Sequence, residues 1–260
     1  MAQDLVEVLD HAGWTARRQV HAVGLSLGGM IAQELGLLIP KRIASLNLIH
    51  TAAHIESTWL DYIRTYSQIL KKKTVDETLW AAASAMFSHD WLLQADDAEV
   101  PDTSIHGVHP PNADDVACGH QEIPSTYLKF ENNYSRYAAQ ELTKQNDPLF
   151  TDADKWAVLG HFLASSMHHL SDARLVRLAE EVGRDRILVL HASEDEMIPA
   201  RYGAHLMSVM KPVRSVMRQG SGHVPKLERA QWFNELLATT FKATGNLYND
   251  AARSGFMHTL

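Results

Sequence analysis

Along the first fifty residues the spacing of apolar positions changes period three times. From Asp4 to His11 they fall at Leu5, Val6, Val8 and Leu9, which lays them along one side of a short helix, and Gly13 supplies a stop. Gln19–Val23 is short and partly β-branched, and it runs straight into Gly24-Leu25-Ser26-Leu27-Gly28. Helical spacing resumes over Gly29–Leu38 and ends before Pro40. Ile43–Ile49 reads as a second strand, Ile187–Leu190 as a third and Arg214–Met217 as a weaker fourth, with helices at Tyr202–Met210 and about Arg229–Phe241. Short apolar strands alternating with helices predict a parallel sheet covered on both faces.

Between about Thr51 and Gly183 that alternation stops. Helical patterns recur around Trp59–Leu70, Val75–Phe87, Tyr127–Leu142, Ala153–Met167 and Asp172–Val182, and no strand alternation is legible among them. Asp96–Pro124, rich in Pro, Asp, His and Gly, reads as an irregular loop. The expected architecture is therefore α/β: a partial parallel sheet of about four strands from residues 1–50 and 184–243, a helical lid from 51–183, and a tail from 244–260.

Composition narrows the field. The net charge is −7 and the one basic run is Lys71-Lys72-Lys73, which gives a phosphate backbone nothing to track, so nucleic acid is not an expected partner. Apolar runs fall short of the roughly 18 residues of a membrane span. Met1-Ala2-Gln3-Asp4 lacks the basic-then-apolar pattern of a signal peptide, and His258-Thr259-Leu260 is not the S-K-L address. The expectation is a cytoplasmic protein. Cys118 is the only cysteine, which excludes an internal disulfide or a thiolate metal cluster.

The strongest chemical signal is Gly24-Leu25-Ser26-Leu27-Gly28. A serine hydroxyl is a weak nucleophile until it is exposed and given a base, and a sharp strand-to-helix turn exposes it. Glycine on either side is expected because such a turn leaves no room for Cβ atoms. The new helix aims its first amides, that of Leu27 among them, at the place where an oxyanion would form. With 14 glycines in 260 residues, chance yields the motif about once in twenty such chains; the strand before it and the helix start after it raise its weight.

Asp195, in the loop after Ile187–Leu190, is the expected acid, because a loop following a parallel strand sits at the carboxyl edge of the sheet. Its neighbours Glu194 and Glu196 are rivals, and Glu56 a weaker one. His223, in Gly220-Ser221-Gly222-His223-Val224-Pro225, is the expected base: it is singled out among fifteen histidines by Gly222, by its place after a strand and by the helix that comes next. His161, His168 and His169 lack the carboxylate or thiolate that would complete a metal set. His106, His109 and His120 read as solvent-exposed loop residues. Trp80, Met86, Phe87, Phe162 and Met167 read as apolar lid side chains, with packing as their main role and a pocket lining as the alternative.

Gly24-Leu-Ser-Leu-Gly-Gly-Met-Ile-Ala-Gln, Ala192-Ser-Glu-Asp195 and Gly222-His-Val-Pro-Lys-Leu-Glu228 together resemble the α/β-hydrolase superfamily, in its lidded serine esterase and lipase-like branch. The resemblance covers about Asp4–Phe241, the lid matching only in type. It implies a triad in the chain order Ser26, Asp195, His223. It also implies a nucleophile after family strand five, a helical cap after strand six, and acid and base after strands seven and eight. Ala192 stands where the family usually has Gly, and a serine at the elbow argues against the epoxide-hydrolase and haloalkane-dehalogenase branches. The family's four earlier strands, and the His-Gly turn that donates a second oxyanion amide, have no counterpart in this sequence. Gln19–Val23 is thus expected at a sheet edge, open to self-association.

The expected function is hydrolysis of a carboxylic ester or related acyl compound through an acyl-enzyme on Ser26, with a small-molecule substrate and neither metal nor organic cofactor. The alternatives are an acyltransferase or thioesterase, and a truncated, non-catalytic relative.

Overall fold

The computed structural model describes residues 1–56, 74–96, 98, 100–101, 127–145, 160–161 and 163–257. The helix expected at Trp59–Leu70, most of the loop Asp96–Pro124, Lys71–Lys73, His106, His109, Cys118, His120 and Phe162 lie outside the described residues.

The chain opens with α1 (Ala2–His11), β1 (Val20–Leu25), α2 (Leu27–Leu38) and β2 (Ile43–Ile49). It continues through α3 (Val75–Met86), α4 (His89–Leu93), β3 (Val100–Pro101), β4 (Tyr127–Leu128), α5 (Asn133–Gln145) and α6 (Asp172–Val182). It closes with β5 (Ile187–Ala192), α7 (Ala200–Met210), β6 (Arg214–Arg218), α8 (Pro225–Glu228) and α9 (Ala230–Met257). The main sheet has four parallel strands in the order β1-β2-β5-β6. Its central strands β2 and β5 are buried along their whole length, whereas β1, at the sheet edge, alternates buried and exposed positions. His21 and Val23 are its exposed residues, Val23 at 45%, on the face that α9 covers only in part, with the His21 ring 4.6 Å from that of Phe241.

The alternation of side chains along a strand sorts the core into two layers. On one face Ile187 and Val189 join Leu9 of α1, Leu35 of α2, Leu175 and Leu178 of α6, and Leu206 of α7. On the other, Leu188 and Leu190 pack with Phe233 and Trp232 of α9. Helices therefore cover both faces, as a parallel sheet requires.

Three expectations change. The helix expected over Tyr127–Leu142 begins only at Asn133: Asn132 Oδ1 accepts from the Ser135 amide at 2.8 Å and caps it, while Tyr127–Leu128 pairs antiparallel with Val100–Pro101. Strands of two residues carry no period to read, so the expectation of no strand in this insert fails there. The tail expected at 244–260 is the continuation of α9 as far as Met257, tied to the core where Arg186 Nη1 donates to Thr244 O at 3.0 Å. α6, inside the stretch expected as lid, buries Leu175, Leu178, Ala179 and Val182 in the main core beside β2.

The other helices of that stretch form a cluster of their own. α3 starts in a capping box, with Thr74 Oγ1 accepting from the Glu77 amide and Glu77 accepting from the Thr74 amide. Phe87, Trp91 and Leu92 pack with Trp80, Met86, Tyr134 and Tyr137, and with Val224 from the loop after β6. Among the described residues no helix is long and apolar enough to cross a membrane.

Candidate active site

Parallel strands in register bring their carboxyl ends to one edge. Leu25 lies opposite Ile49, Ile49 opposite Leu190 and Leu190 opposite Val216. Ser26, His50, Asp195 and His223 come after these four strands in turn, so the topology alone gathers them, at the edge where open α/β sheets bind ligands.

Ser26 sits between β1 and α2 at φ 55°, ψ −123°, a region that a residue with a Cβ occupies only when its surroundings hold it there. The hold is visible. The Ser26 amide donates to Ile49 O at 3.0 Å, and Ser26 O accepts from Thr51 Oγ1 at 2.7 Å and from the Gly29 amide at 2.9 Å. Of the glycines around the turn, a Cβ on Gly24 would lie 2.2 Å from Gly28 O, and one on Gly29 2.5 Å from Thr51 Cβ, but one on Gly28 meets nothing within 4 Å. The steric requirement expected of Gly28 therefore falls on Gly29. Gly28→Ala is expected to fold with a stability within about 1 kcal/mol of the parent. Gly24→Ala, driven into backbone, is expected to lose at least about 2 kcal/mol. Urea denaturation of the two variants checks this, and equal midpoints would refute it. The Leu27 amide, first in α2, makes no hydrogen bond among the described residues, as the first turn of a helix leaves its donors unused.

His223 and Asp195 meet directly. His223 Nδ1 donates to Asp195 Oδ2 at 2.8 Å, and Asp195 Oδ1 accepts from the Ile198 amide at 2.8 Å. A carboxylate can only accept, so the hydrogen is on Nδ1 and the lone pair of Nε2 is left to accept a proton. Asp195 is 4% exposed, while Glu194 and Glu196 are exposed, which separates it from its rivals. Glu56 carries an exposed carboxylate beside His54, and its amide donates to Tyr202 Oη at 3.0 Å. Burial by itself would raise the Asp195 pKa. The hydrogen bond from His223, the close approach of the His50 ring, the interaction with His223 as a charge and the Ile198 amide together outweigh burial and hold it well below the usual carboxylate range. Ser26 Oγ makes no hydrogen bond among the described residues, so the structure pairs Asp195 with His223 without closing a contact from His223 to Ser26. Such contacts often tighten only when substrate is bound.

The loop that carries His223 is fastened to the helices of the insert. The His223 amide donates to Met86 O at 2.7 Å. Buried Glu228 accepts from the Ser88 amide at 2.7 Å, from Ser221 Oγ at 2.7 Å and from the Gly222 amide at 3.0 Å. A Cβ on Gly222 would lie 2.7 Å from Met86 O, so only glycine lets the two segments approach this closely.

Two further histidines belong to the site, and reading the sequence missed both. His50, at φ 45° and fully buried, puts Nδ1 3.2 Å from Asp195 Oδ2. His191, also fully buried, donates from Nε2 to Ile198 O at 2.7 Å and stacks on His50 with ring centroids 5.2 Å apart. A Cβ on Gly203 would lie 2.4 Å from the His191 ring, so α7 passes at its glycine. Burial, the largest cause in each, lowers the pKa of His50 and of His191. The available signal was a histidine closing an apolar strand, a place where a polar ring has no solvent to face. His50, Asp195 and His223 offer ligand atoms within 4.8 Å of one another, the one such set among the described residues. The spacing between Asp195 and His223 is that of a hydrogen bond, and it occupies the atoms a cation would use.

The other described histidines lie elsewhere. His54 bridges His169 with rings 5.2 Å apart, and His205 Nε2 lies 3.0 Å from Asp172 Oδ1. His161 is exposed, and His168 lines a cavity of about 180 Å³ with Leu27, Met30, Ile31, Ala164 and Met167.

The family model described as alpha/beta hydrolase fold matches residues 1–230. Among solved structures, a serine hydrolase from the polyaromatic hydrocarbon-degrading bacterium Cycloclasticus zankles aligns at 19% identity and a TM-score of 0.59, over 93% of this chain and 69% of that one. The 2-hydroxy-6-oxo-6-phenylhexa-2,4-dienoate hydrolase of Rhodococcus sp. strain RHA1 aligns at 16% identity and a TM-score of 0.56, over 93% and 69% of the two chains. A hydrolase from Pseudomonas aeruginosa PA01 aligns at 21% identity and a TM-score of 0.52, over 92% and 69%. At these identities the likeness is one of fold. The chain thus spans about two-thirds of the length of the solved chains it resembles. No curated protein matches the sequence.

Proposed function

From the premise that this chain belongs to the alpha/beta hydrolase fold family, we propose that its site performs serine hydrolysis of a carboxylic ester or related acyl compound. The observation that carries the reading is the 2.8 Å contact from His223 Nδ1 to Asp195, which fixes the tautomer whose Nε2 accepts a proton, at the sheet edge where Ser26 occupies a strained turn. His223 takes the Ser26 proton as Oγ attacks the substrate carbonyl. The Leu27 amide donates to the oxyanion that forms. His223 then gives the proton to the leaving alcohol, and water repeats the sequence on the acyl-enzyme. Asp195 keeps the ring oriented and stabilises the imidazolium, without being protonated itself.

α3, α4 and α5 act as the cap of this site, fastened to the His223 loop through Met86, Ser88 and Val224. The apolar cavity beside Leu27 would take the hydrocarbon part of the substrate. A fluorophosphonate probe tests the reading, because it reacts only with a serine whose base is in place. Labelling is expected on Ser26, and it should disappear in Ser26→Ala. Equal labelling of the two proteins, or none of the wild type across pH 6–9, would reject it.

A further inference from the structure

Resting on that reading of the site, we propose that His50 is a positioning residue for the Asp195–His223 pair, sharing the acid with the base and setting the pH at which the base becomes competent.

Placement carries the argument. Three imidazoles surround one carboxylate: His223 Nδ1 lies 2.8 Å, His50 Nδ1 3.2 Å and His191 Nε2 3.4 Å from Asp195 Oδ2. His191 is already committed, because Ile198 O only accepts and its 2.7 Å bond places the hydrogen on Nε2. His50 has no such commitment. Both its ring nitrogens are buried without a hydrogen-bond partner that meets the geometry of one, although Nδ1 lies 3.2 Å from the carboxylate. A buried polar atom without a partner is uncommon enough to need a reason. The backbone keeps it there at a cost, since His50 is one of four non-glycine residues at positive φ among the described residues. Its ring also meets that of His223 edge-on, with centroids 5.9 Å apart, so it buttresses the base as well as the acid.

Charge then decides the direction of the effect. The groups facing His50 are Asp195 from the loop after β5, His191 from β5 itself, His223 from the loop after β6, and Glu228 from α8. Burial keeps His50 neutral, so beside an anion the favoured tautomer carries its hydrogen on Nδ1 and donates to Oδ2. Asp195 Oδ2 is then shared between two donors, and less of its charge is left to stabilise His223 once that ring takes a proton. Removing the His50 donor leaves Asp195 Oδ2 to the His223 donor, with the Ile198 amide still on Oδ1. The protonated form of the pair gains, and a higher pH is needed to free the base.

The experiment is the pH dependence of fluorophosphonate labelling at Ser26, read with the ring tautomers by nitrogen-detected NMR of uniformly labelled full-length protein. In His50→Ala the acid-side midpoint of the labelling rate is expected to rise by about one pH unit. His50→Asn is expected to restore the midpoint, because an Asn amide nitrogen overlays Nδ1 and Asn tolerates positive φ. His50→Gln, whose amide overlays Nε2 instead, is expected to behave like Ala. A structural role alone would lower the amount of folded protein and leave the midpoint where it was, and that result overturns the proposal. The wild-type spectrum tests it without any variant: His50 is expected as the Nδ1–H tautomer, and finding the hydrogen on Nε2 overturns it even if every variant fails to fold. If the wild type is not labelled at all, the reading of Ser26 fails, and the tautomer of His50 still decides whether it donates to Asp195.

Discussion

His223→Ala is expected to reduce turnover of an activated ester on the order of 10⁶-fold, about as much as Ser26→Ala, and the double variant should lose little more than either alone. A base without its nucleophile, or a nucleophile without its base, retains the same residual catalysis from substrate binding and the Leu27 amide, so the two losses do not add. Asp195→Asn is expected to cost about 10⁴-fold. It keeps the volume and can still accept from the Ile198 amide, but its own amide turned toward His223 would reverse the 2.8 Å bond and leave the hydrogen on the nitrogen that must accept. The order of effects is the discriminating measurement. Additive losses, or an Asp195→Asn variant more impaired than His223→Ala, would show that the serine, the base and the acid do not act as a unit.

Glu228→Ala is expected to be among the most destabilising single changes in the chain. Glu228 is 5% exposed, and its carboxylate is the acceptor for the Ser88 amide, Ser221 Oγ and the Gly222 amide. Ser88 Oγ donates to it as well, at 3.4 Å, so deleting it strands four buried donors; at about 1–3 kcal/mol each, and with water replacing part of what is lost, a loss of about 3–6 kcal/mol is expected. Against a typical domain stability of about 5–15 kcal/mol that leaves little. Glu228→Gln keeps one acceptor oxygen and sets an amide donor against the rest, so its loss should be about half as large. Because Ser88 belongs to the insert and Gly222 adjoins His223, the same change should loosen the loop that carries the base. Urea denaturation followed by tryptophan fluorescence reads the stability, and labelling of the protein that remains folded reads the loop. A Glu228→Ala midpoint equal to the wild type would mean that these four donors find other acceptors.

That Ser26, Asp195 and His223 would meet at one edge of the sheet was legible in the sequence, because each stands in a loop directly after an apolar strand, and parallel strands deliver the loops at their carboxyl ends to one edge. The four strands, α2, α6 and α7 were legible for a related reason: the period of the apolar residues is set by which face is buried, and burial is what the sequence encodes locally. β3 and β4 escaped because two residues make no period. The last helix was expected to end near Phe241, whereas it runs on to Met257 past Thr244, which is buried and donates from Oγ1 to Thr240 O at 3.0 Å.

What only the tertiary structure decided is which side chains share an atom. Nothing in the spacing of His50, His191, Asp195 and His223 says that three rings converge on one carboxylate, since they lie on different strands and meet through the register of β2 with β5 and of β5 with β6. Nor could the sequence say which glycines matter. The clash at Gly24 is with Gly28 O, and the clash at Gly29 is with Thr51, a residue brought in by the next strand. It was silent, too, on α6 belonging to the core and on Glu228 fastening the insert to the base. By itself the sequence determined the period of each element, and with it which residues the sheet edge would receive. Distances between those residues are long-range quantities, fixed only when strands pair in one register and helices pack over them.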